Sequence, residues 1–251
     1  MIQNNFLEKL KRKIFNKKFL IGIGLLFLLF RFPIFLFFLL LILLIYFYIR
    51  FLKRKENELK KLCQDFYQGQ EFVAIDLETT GLNSRKDEII EIAAIKFNKK
   101  GERESFIRLI KPKNYVPFEI QEMTGVAISK LMEEGRNLEE IKEEFISFIK
   151  NLPILGWNLS FDLDFLKNNG IKLSNQTIDV MEIAYNFLPP AVYRKGRKRP
   201  IRRRFSLSSI ARDFGIYIKE THRAGTDAFL VCKVFEKLME QIKYKYFREE
   251  T

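Results

Sequence analysis

Cysteine, histidine and, in one long stretch, acidic residues are scarce in this sequence. Its two cysteines, Cys63 and Cys232, are too few and too far apart for a disulfide framework or a cysteine zinc site, which points to a reducing compartment. Histidine occurs once, at His222. Residues 1–61 contain only 3 acidic residues against 13 Lys and Arg, a net of +10, while the remainder is nearly balanced, with 28 acidic and 31 basic. The run Arg194–Arg204, RKGRKRPIRRR, has eight basic residues and no acidic one. The overall +13 therefore sits in two patches on a mildly acidic body. Such patches imply anionic partners, either nucleic acid or an anionic membrane surface. No internal repeat is present.

What the N-terminal stretch does contain is apolar side chains. Phe19–Phe30 and Ile34–Ile49 are 12 and 16 residues without a charge, separated by Arg31-Phe32-Pro33. A helix needs about 20 apolar residues to cross the hydrocarbon core. Neither half suffices alone, and the joined 31-residue stretch carries Arg31 in its middle, at a cost of at least about 2.5 kcal/mol. Two geometries follow. Either the chain spans once, or Arg31–Pro33 is a turn and the halves form a helical hairpin. Lys and Arg flank both ends, which keeps the following domain in the cytoplasm in either case. The run is too long for a signal peptide and no small-residue cleavage site follows it. Nor does a core helix carry Leu and Phe on every face. Residues 1–61 thus read as a basic-flanked membrane anchor and linker, with 19–49 as the membrane-contacting part, and 62–251 as a separate domain.

The second region opens with NELKKLCQDFYQGQ, which reads as a short linker helix, and continues as α/β. Three strand-like runs, 71–80, 89–97 and 105–112, are joined by short turn-rich pieces, so they form an antiparallel meander. Leu138, Ile141, Phe145, Ile146 and Ile149 follow a helical period. LPILGWN is a buried strand, FDLDFLKNNG a helix ending on Gly170, QTIDV a strand and MEIAYNFL a helix. SLSSIARDFG is a short helix with a Ser start and a Gly stop, and TDAFLVCKVFEKLMEQI closes the chain as an amphipathic helix. Strands followed by alternating helices and strands imply a mixed sheet flanked by helices.

Three short motifs carry chemistry. In the strand VAIDLETTGL, alternation puts Val73, Ile75 and Leu77 on one face and Asp76 and Glu78 on the other, roughly 6.6 Å apart. Adjacent carboxylates in a sheet repel and resist desolvation, and a hard divalent cation relieves both. D-x-E alone also fits an edge strand that faces water. Asp162 falls in the first turn of the helix after Trp157–Asn158, where capping is the alternative role. His222 precedes Asp227 by five residues at a loop-to-helix junction, and a lone histidine can equally be structural.

Together, DLET, NxxFDxxFL and HRAxxDA, in this order and at these separations, resemble the DEDDh-type 3′–5′ exonucleases, the family of the bacterial polymerase III proofreading (epsilon) subunit, with a ribonuclease H-like fold. The likeness covers about Glu71–Met239 and extends to EMTGVAIS, IDVMEIA and RFSLSSIARDFGI. It implies that Asp76, Glu78, Asp162 and Asp227 hold two Mg²⁺ or Mn²⁺ ions and that His222 is the general base. It also implies that Thr79, Thr80, Asn158 and Phe161 contact a nucleic acid with a free 3′ end, releasing nucleoside 5′-monophosphates. DNA is the favoured substrate. RNA or short oligonucleotides are the alternative, as is an inactive membrane-tethered nucleic-acid-binding module. A DNA polymerase is an open partner, and the oligomeric state is not legible. Gly225–Thr226 depart from the family pattern and predict a looser loop around His222. The basic run either tracks phosphates, contacts anionic lipid or is a solvated loop.

Overall fold

The computed structural model describes residues 2–188, 206–218 and 222–247, so the basic run Arg194–Arg204 lies outside the described residues. The chain divides into two compact units, residues 1–58 and 59–251.

The first unit is helical throughout, as part of α1 (Ile2–Tyr67). The helix continues through Arg31–Pro33, so the hairpin does not form. Arg-Phe-Pro has no Gly, Asn or Asp to favour a turn over the helix. Proline in a helix interior removes one hydrogen bond, and here it does not end the helix. From Leu36 to Leu52 the apolar side chains are all exposed, between 40% and 66%. The helix over Leu36–Tyr67 is long and apolar enough to cross a membrane, by length and composition.

The second unit begins inside α1. Cys63 and Phe66 are buried in its core, with Leu59, Leu62 and Tyr67 packed against it. The segment expected to be a linker is therefore a core element. β1 (Phe72–Thr79), β2 (Ile89–Asn98) and β3 (Gly101–Leu109) form the expected meander. α2 (Phe118–Thr124), α3 (Ile128–Glu134) and α4 (Leu138–Ile149) follow, then β4 (Ile154–Gly156), α5 (Leu159–Asn168), β5 (Thr177–Asp179) and α6 (Val180–Phe187). α7 (Leu207–Asp213) and α8 (Ala224–Tyr246) complete the described elements. Ser206 caps α7 by accepting from the Ser209 N–H at 3.2 Å.

The sheet order is β3-β2-β1-β4-β5, with β1–β2 and β2–β3 antiparallel and β1–β4 and β4–β5 parallel. β1 is thus central, which removes the edge-strand explanation for its carboxylates. Helices cover both faces. Val73, Ile75 and Leu77 pack with α4 and α5 residues such as Phe145 and Phe165. Phe72 and Ala74 pack with α8 residues such as Phe235 and Val231. Alternation along β1 then directs Asp76 and Glu78 to the α8 face. Two buried layers of this kind are the main favourable term in folding, at about 1.5–3 kcal/mol per fully buried large apolar side chain.

Candidate active site

The site grows out of one row of side chains on β1. On the α8 face the row reads Phe72, Ala74, Asp76, Glu78, and their β2 partners are Phe97, Ile95, Ala93 and Glu91. At one end, Phe66, Phe72, Phe97 and Phe235 pack with ring centroids 5.4–6.5 Å apart. At the other end sit carboxylates.

Local structure explains how they are brought there. β4 stops at Gly156 and the chain turns at Asn158, which has a left-handed φ of 58°. The β1 amides on that side lose their strand partner. The Val73 N–H still donates to the Pro153 carbonyl at 3.0 Å, but the Leu77 N–H donates to Asp162 Oδ1 at 3.1 Å. A side chain from the first turn of α5 thus continues the ladder, and Asp162 is buried. Asp179 holds that turn by accepting from the Asn158 and Leu159 amides, each at 3.2 Å, and from the Met181 N–H at 2.9 Å. Crevices at the carboxyl ends of parallel strands, where the chain connections diverge, are where open α/β sheets bind ligands.

Asp76, Glu78 and Asp227 bring one carboxylate oxygen each within 4.8 Å of the others. Asp227 comes from the first turn of α8. Burial raises the Asp76 pKa well above the carboxylate range, and the nearby charges of Asp162, Asp227, Glu78 and Glu91 raise it further. Glu78 is pushed up to about 8, first by burial and then by Asp227 and Glu91, against a lowering by Arg223. Asp162 is pushed up to about 8 by burial, opposed by its own and the Leu77 backbone N–H. Burial also raises Asp227, opposed by the His222 N–H and charge. Among the described residues, no Lys or Arg forms an ion pair with any of the four. The donor set is three or four hard oxygens, half-buried to buried and repelling one another, and it can hold a divalent cation. Three of the four predicted acids share the cluster. Asp162 stands beside it, with one oxygen committed to β1.

His222 is exposed and has a left-handed φ of 64°, and its N–H donates to Asp227 Oδ2 at 3.2 Å. Gly225 and Thr226, expected to loosen a loop, lie instead in the first turn of α8, and a Cβ on Gly225 would run into the Ile107 side chain of β3. Thr79 and Thr80 are buried and shape the turn after β1. Thr79 Oγ1 donates to the Gly81 carbonyl at 2.6 Å, and Thr80 Oγ1 accepts from the Glu88 N–H at 2.9 Å. Asn158 is exposed at the start of α5, and the Phe161 ring packs at a tilt against Phe165 with centroids 4.9 Å apart.

Sequence reading missed Glu91 and Arg223. Glu91 lies directly across from Glu78 and is 1% exposed. It accepts from Arg223 Nε at 3.1 Å and Nη2 at 2.8 Å, and from the Ala224 N–H at 3.1 Å. The available signal was a single acid inside the apolar run IIEIAAI, whose every position is buried.

With the geometry in hand, comparison with known proteins fixes the class. The sequence model of the family described as Exonuclease (RNase T) matches residues 73–235. The chain belongs to this exonuclease family and is a hydrolase, a 3′–5′ exonuclease acting on nucleic acid. Among its relatives, the DNA polymerase III subunit epsilon of Aquifex aeolicus is 30% identical over 180 residues, covering 70% of this chain and 83% of that protein. The PolC-type DNA polymerase III of Thermotoga petrophila is 31% identical over 182 residues, but the chain spans only 12% of its length. The 3′-5′ exonuclease DinG of Bacillus subtilis is 27% identical over 180 residues, 18% of that protein. Two solved structures share the fold. Exonuclease X in complex with 5′ overhanging duplex DNA gives a TM-score of 0.54 at 16% identity, over 68% of this chain and 92% of that one. E. coli Exonuclease I in complex with a dT13 oligonucleotide gives 0.58 at 18%, over 72% and 43%.

Proposed function

We propose that this protein is a membrane-anchored, divalent-metal-dependent 3′–5′ exonuclease that favours DNA and works on the cytoplasmic side, with Mg²⁺ or Mn²⁺ as cofactor. One observation carries the metal requirement: Asp76, Glu78 and Asp227 oxygens converge within 4.8 Å in a partly buried crevice where burial and mutual repulsion oppose ionisation. In that reading Asp76, Glu78, Asp162 and Asp227 hold two ions, which when bound stabilise charge on the attacking and leaving oxygens of the phosphodiester. The exposed imidazole of His222 takes a proton from the attacking water. The turn built by Thr79 and Thr80 presents its backbone to the 3′ end. Asn158 and Phe161 line the crevice at the start of α5. The product is a nucleoside 5′-monophosphate. Relatives named as DNA polymerase components support DNA as the substrate and a polymerase as partner.

The membrane reading rests on the exposed apolar surface of Leu36–Leu52, which water solvates poorly, and on the basic residues Arg50, Lys53, Arg54 and Lys55 that follow the apolar run. Residues 1–61 serve as anchor and 62–251 as the exonuclease domain.

The decisive experiment incubates the detergent-solubilised full chain with 5′-labelled single-stranded DNA and RNA of one sequence, with Mg²⁺, with Mn²⁺ and with EDTA. Stepwise shortening of DNA from the 3′ end, ahead of RNA and absent in EDTA, is the expected result. Undiminished activity in EDTA would defeat the metal requirement, and faster RNA degradation would reverse the substrate assignment. Retention in the membrane fraction after alkaline extraction tests the anchor, and release into the supernatant refutes it.

A further inference from the structure

The catalytic acids come from three separate places, and nothing in the D-x-E strand itself fixes where α8 begins. Arg223 is the residue before α8, extended at φ −132° and ψ 126°, and its own side chain gives the helix no cap. Glu91 supplies that cap from the neighbouring strand. One of its oxygens, Oε2, accepts both the Ala224 N–H and Arg223 Nε, and the other accepts Nη2. The fork is bidentate and one partner is almost completely buried. Glu91 stands opposite Glu78 on the same rung, so the clamp ties the start of α8 to the rung that carries the cluster. The residue before the clamp, His222, is held in a left-handed conformation that costs a non-glycine residue about 1 kcal/mol or more. Its N–H is fastened to Asp227, four residues beyond Arg223. The backbone from His222 to Asp227 is therefore fixed at two points, and both are carboxylates.

The structure assigns Glu91 and Arg223 as a positioning pair that sets Asp227 and His222 against Asp76 and Glu78. Neither touches the reacting atoms. A pure charge role would need only a cation near Glu78, which lysine also supplies. The positioning role needs the planar fork, which lysine lacks. The assignment rests on the metal-dependent exonuclease reading, and the test separates the two.

Arg223→Lys and Glu91→Gln are made in the full chain, alone and together. Three quantities are compared with the parent protein: the thermal midpoint, Mn²⁺ affinity by titration without substrate, and kcat and KM on the labelled DNA. Displacing a group that supports a metal ligand lowers affinity or turnover by about 10- to 100-fold. The expected result is a loss of that size in kcat and a weaker Mn²⁺ site in Arg223→Lys, with KM within about threefold and the protein folded at the assay temperature. The double variant should be little worse than either single one, because both break the same clamp. Parent-like kcat and Mn²⁺ affinity in Arg223→Lys would overturn the assignment, as would losses that merely track the fraction unfolded. If the parent chain hydrolyses no nucleic acid, the functional reading fails by itself, and the Mn²⁺ titration still decides whether the clamp places Asp227.

Discussion

The α8 face of β1 holds two opposite environments within seven residues. Phe72 lies among three other phenylalanines that satisfy one another, while Asp76 and Glu78 lie among acids that cannot. Both ends are buried and both are clamped by α8, through Phe235 at one and Asp227 at the other. The aromatic end lowers the energy of the folded chain unaided. The acidic end raises it, and a bound cation would offset that cost. A stable scaffold and a metastable site thus share one strand, and substitutions at the two ends should have opposite signatures.

The largest expected effect is at the acidic end. Asp76→Ala should remove exonuclease activity, at least about 10³-fold, while leaving the metal-free thermal midpoint equal or higher, because a buried repelling charge is gone. A gel assay and a thermal melt check both halves. Phe235→Ala should do the reverse. It should cost about 3–5 kcal/mol in chemical denaturation, with kcat per folded molecule unchanged.

A third prediction concerns pH. Glu78 and Asp162 are both pushed up to about 8 by burial, from ordinary values of 4.5 and 3.8. The folded state then binds their protons more tightly than the unfolded state does. Their contribution to stability is fully present below about pH 4 and is lost as pH rises through about 8. Metal-free protein should therefore melt at progressively lower temperature over that interval. At pH 8, Mn²⁺ at about 100 times its dissociation constant should raise the midpoint by roughly 5–10 °C, and by much less at pH 5. A metal-free midpoint that climbs with pH would contradict the picture.

The smallest effect is expected where neither environment is touched directly. Asp179→Ala removes the acceptor for three amides at the starts of α5 and α6 and should cost about 1–2 kcal/mol by denaturation. The accompanying shift of Asp162 should lower kcat far less than Asp76→Ala does.

Much of this contrast was legible in the chain. The motif around Asp76 sits where a strand ends in a turn, those around Asp162, His222 and Asp227 where a strand or loop hands over to a helix, and it is their joint resemblance to the exonuclease family that made them one site. The three-strand meander followed from its short turns, and α4, α7 and α8 from their periodicity and caps. What escaped notice is what depends on pairing between distant segments. Glu91 is one acid in an apolar strand, and its partner, Arg223, lies 132 residues away. The segment around Cys63 and Phe66 looked like a linker because its charged neighbours mask the side that is buried. The hairpin was one of two geometries open to residues 19–49 because neither apolar half spans alone, and the helix instead runs on through Pro33.

The bond from the Leu77 amide to Asp162 bears on how such an enzyme could lose its activity over generations. A lineage released from selection for catalysis could discard Asp76 at no structural loss, since nothing in the backbone relies on it. Asp162 is different, because its removal strands an amide in the middle of the sheet. Decay should therefore be written first at Asp76 and Glu78, and a silent descendant should still carry an acid or an amide at position 162.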